Sequence, residues 1–268
     1  MNNLNSVNFF IVAHMDDWQL FMNPIVSLNL SEEKNKIVII YTTGNDAGGG
    51  ENYWRAKEVA SISSIFSRVT HLRKPNFSRS LVKIYDHYIN RASISNAVSY
   101  FLRLPDGNLN GEGFSSQGHQ SMKKFYNDNK LIFTTIDQST TYFGWKDLVY
   151  TLQGIIDYES KGFSSIILNH PETNDIINPQ DHSDHIFTGL AVQGIPRYKK
   201  YHKFAYVGYN LINYPLDLAG EELFWKIGQF IAYDTTLYNL TGYSTIKEAP
   251  SSYIGFCFKS ANSRKIDD

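Results

Sequence analysis

Cysteine is almost missing from this chain: there is one, Cys257, so no internal disulfide can form. It lies in the apolar run Tyr253-Ile254-Gly255-Phe256-Cys257-Phe258, which predicts a buried core thiol and a reducing compartment, the cytoplasm. Long hydrophobic runs are also absent. The longest extend about 5 to 7 residues, whereas roughly 20 are needed to span a bilayer as a helix. No basic segment precedes the short run Phe9 to Ala13 and no small-residue cleavage site follows it, so no secretion signal is visible and a soluble protein is expected. Neither sign of charge dominates. Lys and Arg number 25 against 26 Asp and Glu, with no long basic run, so nucleic acid and anionic membranes are not expected partners.

What is present is the composition of a globular protein: 42% hydrophobic and 19% charged residues over 268 positions, enough for a substantial core and far from the makeup of a disordered chain. With no internal repeat, linker or low-complexity tract, residues 1–268 are read as one domain. Aromatics reach 15%, more than a core needs, and some are candidates to line a cleft for a ring-shaped ligand.

The hydrophobic pattern alternates buried strands with amphipathic helices. Val7 to Ala13 and Lys36 to Thr43 read as strands buried on both faces. After the first, apolar residues at Trp18, Phe21, Met22 and Ile25 have helical spacing. After the second come a glycine-rich loop, Gly44 to Gly50, and a helix over Tyr53 to Phe66. Arg68 to Arg73 reads as a third strand. From Asn76 to Thr141 the pattern loosens, and Pro105 to Gly118 reads as a long loop over the carboxyl edge of the sheet. Regularity returns with a helix over Asp147 to Ser160, a strand over Ser164 to Asn169, a helix over His185 to Gln193, a strand over Lys203 to Tyr209 and a helix over Gly220 to Leu240. Tyr253 to Phe258 is expected to close the sheet. The prediction is an α/β fold, a Rossmann-like three-layer sandwich whose mostly parallel sheet has helices on both faces, with ligands bound beyond the carboxyl ends of the strands.

Two clusters at that edge are dense in metal-ligand residue types: Ala13-His14-Met15-Asp16-Asp17 and Asp181-His182-Ser183-Asp184-His185. Histidine and carboxylate supply the N/O ligands of a hydrolytic zinc site without thiols. His14 and Asp17, three apart in a tight turn, can address one centre, with Asp16 beside it as a general base. Taken alone, paired aspartates at a helix start also suit capping and the helix dipole. His170 ends a strand on the same edge and is open to a supporting role. His71, His87, His119 and His202 have no partners at metal spacing and read as surface or hydrogen-bonded residues. The glycine loop lacks the Lys-Ser/Thr of a phosphate-binding P-loop.

These residues resemble the zinc-dependent N-deacetylases related to the GlcNAc-phosphatidylinositol deacetylase, the LmbE-like or PIG-L family, over nearly the whole chain. The family's Ala-His-Pro-Asp-Asp is matched by Ala13 to Asp17 and its His-x-Asp-His by His182-Ser183-Asp184-His185. Leu104-Pro105-Asp106-Gly107, the glycine loop with Arg55 and Glu58, and Lys226 and Tyr233 are fainter matches. The resemblance implies one zinc ion held by His14, Asp17 and His185, with Asp16 as the base. It also implies that His182 stabilises the oxyanion or protonates the leaving amine, that Asp184 orients His182, and that Arg55 and Asp106 contact the sugar. Met15 departs from the family's proline, and Trp18-Gln19 from positions often acidic, but none of these is a ligand. The implied substrate is a small acetylated amino sugar or conjugate of the N-acetylglucosamine type. Rival readings are an amidase for a thiol conjugate or acylated antibiotic, and a catalytically silent sugar-binding protein.

Overall fold

Phe9 and Ile11 on one side of the first strand, and Phe10 and Val12 on the other, are all fully buried, because helices cover both faces of the sheet. The computed structural model describes residues 6–72 and 74–267, and of residues 71 and 72 the backbone alone. Eight strands form the main sheet, in the order β10-β9-β8-β1-β2-β5-β4-β3. Its centre is parallel: β1 (Ser6–Val12) lies between β2 (Lys36–Thr43) and β8 (Ser165–Pro171), β2 is followed by β5 (Ala97–Leu104), and β8 by β9 (His202–Tyr206). One face is covered by α2 (Glu51–Leu72), α6 (Gly220–Thr241) and α8 (Pro250–Cys257), and the other by α4 (Trp145–Glu159) and α5 (Ser183–Gln193). This is the α/β arrangement the hydrophobic pattern predicts.

Three expectations differ from the structure. Arg68 to Leu72 is not strand: α2 runs on through it, because Ile62, Ile65 and Val69 keep helical spacing and bury into the core, and packing overrides the β-branched composition. Arg73 lies outside the described residues. Tyr253 to Phe258 does not close the sheet either. Pro250 opens α8, and Tyr253, Phe256 and Cys257 turn one helical face to the core. The closing strand is the polar β10 (Ser263–Lys265), antiparallel to β9. Within the loosely patterned stretch, β3 (Phe77–Ile84) and β4 (His87–Ile94) form with β5 an antiparallel meander at the sheet edge. All of β3 except Val82 and Ile84 is exposed, so it lacks the apolar alternation that marks a half-buried strand.

The helix expected after β1 is split. A π-helical turn, Trp18–Met22, stops before Pro24, and α1 (Ile25–Ser31) follows. The segment from residue 105 to 114 has no helix or strand and passes over the carboxyl edge of the sheet into α3 (Met122–Asn127), and β6 (Ile132–Thr134) then pairs with β7 (Thr141–Phe143). The short α7 (Thr245–Glu248) links α6 to α8.

Candidate metal centre

The turn after β1 is folded by Asp17. Its Oδ2 accepts the backbone N–H groups of Ala13 at 3.0 Å and His14 at 2.8 Å, so the carboxylate faces back toward the strand end and makes no cap on the turn that follows. The capping alternative therefore does not account for it. Asp17 Oδ1 is left facing two imidazoles, His185 Nε2 at 3.1 Å and His14 Nδ1 at 3.5 Å. All three side chains are almost fully buried.

Each of these histidines has its second ring nitrogen against another buried carboxylate. His185 Nδ1 lies 3.0 Å from Asp181 Oδ2, one helical turn earlier in the chain, and His14 Nε2 lies 3.4 Å from Asp184 Oδ2. Asp181 is fixed in turn by Asn178 Nδ2 at 2.7 Å and the Tyr209 N–H at 3.1 Å, and Asp184 by the Gly107 N–H at 2.9 Å. Gly107 has to be glycine at this approach, since a Cβ there would lie 2.4 Å from Asp184 Oδ1. Carboxylates behind histidines in this way fix tautomer and ring orientation in metal sites.

The electrostatics of the three residues call for a cation. Burial alone would lower the two imidazoles, but Asp17 holds His14 well above the ordinary histidine range, and Asp17 with Asp181 pushes His185 up to about 10. Burial works to raise Asp17, and His185 and His14 outweigh it and hold its carboxyl below the usual range. Buried carboxylates thus favour positive charge around both rings, the environment a divalent ion would occupy. Donor atoms around tetrahedral zinc, about 2.1 Å from the metal, are about 3.4 Å apart, close to the 3.1 and 3.5 Å separations from Asp17 Oδ1. The residues fit the ion.

A second grouping, His14, Asp106, His182 and Asp184, also brings four donor atoms within 4.8 Å of one another. Within it Asp106 accepts Asn108 N–H on Oδ1 and Ala47 N–H on Oδ2, and His182 Nδ1 accepts the Asp184 N–H, while the buried Asp184 Oδ1 has no hydrogen-bond partner among the described residues. The Asp184 carboxylate, expected to orient His182, lies 4.0 Å from His182 Nδ1 and 3.4 Å from His14 Nε2. The ring of His182 is instead fixed by a backbone group as the cap of α5, which in the neutral imidazole leaves the proton on Nε2. Burial, with the charges of His14 and His185, pushes His182 down to about 3, so it is neutral near pH 7.

His14, Asp16, Asp106 and His182 line one cavity of about 220 Å³. Burial raises the Asp16 carboxyl, opposed by the charge of Lys57. Tyr53, Tyr209, Tyr243 and Tyr253 supply an aromatic wall, and Asn45 and Lys57 a polar one. Arg55 is not brought here: half exposed, it is paired with Glu51 at 2.5 Å and stacked over Trp54. His170 is buried away from the cavity, bonded to Pro171 O and Tyr198 Oη, a support within the core. His87 is likewise satisfied, between Thr140 and Asp147. Sequence reasoning gave no role to Asp181, though its position four residues before His185 is the spacing of one helical turn. Lys57 carries no local motif, and the aromatic excess that suggested a cleft did not say which tyrosines line it.

No family model and no curated protein matches the chain. Among solved structures it is similar to the zinc-inhibited form of the teicoplanin deacetylase Orf2, with 9% identity and a TM-score of 0.46 over 98% of this chain and 99% of that one. It is similar to the same extent, with 12% identity, to a deacetylase–bog complex from the teicoplanin biosynthesis pathway. No helix among the described residues is long and apolar enough to cross a membrane.

Proposed function

We propose that this chain is a zinc-dependent N-deacetylase that hydrolyses the acetamide of an N-acetylglucosamine-type sugar or sugar conjugate. The observation that carries the reading is the pair of histidines sharing Asp17 Oδ1, each backed by its own buried carboxylate. His14, Asp17 and His185 would hold one zinc ion, which when bound supplies Lewis acidity toward the amide carbonyl and the attacking water.

Asp16, in the cavity wall and raised by burial, takes the proton from the water as it adds to the carbonyl carbon. The Nε2–H of neutral His182 donates to the oxygen that becomes negative. The proton held by Asp16 then passes to nitrogen as the C–N bond breaks, giving the free amine and acetic acid, which loses its remaining proton to water as acetate. The tyrosine wall suits a sugar ring, and the cavity volume suits one ring in place of an extended ligand. Residues 1–268 act as a single deacetylase domain, and the lone buried thiol of Cys257 suits the cytoplasm.

The test is acetate release across a panel of N-acetylated amino sugars and conjugates, before and after chelation and with zinc restored. Release that stops on chelation and returns with zinc supports the reading. A zinc-loaded protein that releases acetate from none of them sinks it.

A further inference from the structure

One wall of the cavity carries a charge that the reaction above does not use. Lys57, on α2, is 6% exposed and lines the same cavity as Asp16, Asp106 and His182. Its Nζ donates to the Asn45 carbonyl at 2.9 Å and sits 4.6 Å from the centre of the Tyr53 ring. An ammonium has three hydrogens. Asn45 takes one, and a lysine in a cavity wall offers the others to what fills the cavity.

Asp106, which lines the same cavity, receives one backbone N–H on each oxygen, from Asn108 and Ala47. A carboxylate has about four acceptor positions, so acceptor capacity remains. Burial lowers the Lys57 ammonium, opposed by Asp16, Asp106, Asp46 and Asp17, and four carboxylates around one ammonium disfavour an anionic substituent. A hydroxyl pair is suited to the site, because one hydroxyl can accept from the ammonium while its neighbour donates to the carboxylate.

We propose that Lys57, in the place Arg55 was expected to fill, is the specificity-determining cation of this site. With Asp106 it forms a donor–acceptor pair that reads the neutral vicinal diol beside the acetamido carbon of the substrate. The inference rests on the deacetylase reading and names its recognition element.

The experiment compares zinc-loaded wild type with Lys57→Met and Lys57→Arg on the methyl glycoside of N-acetylglucosamine and its 3-deoxy and 4-deoxy counterparts. Losing one hydrogen bond to a charged group predicts a rise in KM of roughly 10- to 150-fold in Lys57→Met, with zinc content unchanged, kcat moved less, and partial recovery in Lys57→Arg. Wild type should lose a similar factor on one deoxy sugar, while Lys57→Met no longer distinguishes it. Equal discrimination by wild type and both variants overturns the proposal. Should Lys57→Met fail to fold, Lys57→Arg and Lys57→Gln carry the same comparison. Absence of acetate release from wild type overturns the deacetylase reading separately. Calorimetric binding of the same glycosides then decides Lys57, since deoxy discrimination that survives in its variants contradicts the diol.

Discussion

Replacing Asp181 by Asn should weaken zinc binding by one to two orders of magnitude. Asp181 Oδ2 accepts from His185 Nδ1 and from Asn178 Nδ2, and Oδ1 accepts the Tyr209 N–H. Burial works to raise this carboxyl, and His185 outweighs it, drawing it down to about 2, so the group behind the imidazole is a full negative charge. The amide keeps one oxygen for His185 but has no charge to make the imidazole a stronger donor. Its NH2 also comes to face the Tyr209 N–H, donor against donor. Loss of a carboxylate partner behind a ligating histidine costs about 10- to 100-fold in metal affinity, or about 1.4 to 2.7 kcal/mol. The assay is competition for zinc against a chelating dye at pH 7.5, with thermal unfolding of the metal-free forms as the control for general damage. An unchanged zinc Kd in a folded variant would refute the claim that Asp181 serves His185 as a metal ligand.

Other outcomes follow from the same geometry. Asp16→Asn should keep zinc and lose about 10²- to 10⁴-fold in kcat, so zinc loss or full activity in that variant contradicts its role. Gly107→Ala would press a Cβ onto Asp184 Oδ1, and a strain of about 1 to 3 kcal/mol should appear as a lower Tm together with weaker zinc binding, both of which are measurable on one sample. His170 is held neutral by burial, with its folded pKa lowered from 6.5 to about 4. The unfolded chain therefore takes up a proton at higher pH than the folded one. Its contribution is full above pH 6.5 and is lost as the pH falls toward 4, by about 3 kcal/mol in all. Urea titrations of metal-free wild type and His170→Gln at pH 7 and 4.5 should show a smaller acid loss in the variant, and identical losses would exclude this source.

The parts of the fold legible in the sequence were those where burial on both faces leaves a run with no polar break, as in β1 and β2. Where the apolar run was short, strand and helix could not be separated. Tyr253 to Cys257 became helix because Pro250 starts one there and the core lies on one side of it. The meander of β3 and β4 was hidden by its exposure, and its tight turns, Tyr85-Asp86 and Ser95-Asn96, put Tyr85 and Ser95 at positive φ with no glycine to mark them.

In the site, His14, Asp16 and Asp17 follow the end of β1 and His185 lies in the first turn of α5, and the sequence singles them out because their types are unusual in combination. The partners behind them were not legible. Asp184 serves His14 across 170 positions of sequence, and Arg55 and Lys57, two residues apart on one helix, point to solvent and to the cavity. A two-residue step on a helix turns the side chain by more than half a circle, and the sequence does not say which of the two turns inward.

The central claim is that His14, Asp17 and His185 form one zinc site. X-ray absorption of the protein loaded with one equivalent of zinc tests it directly. Two imidazole nitrogens with the remaining donors oxygen are expected, and one imidazole in His185→Ala. Three imidazoles, any sulfur ligand, or an unchanged spectrum in that variant would contradict it.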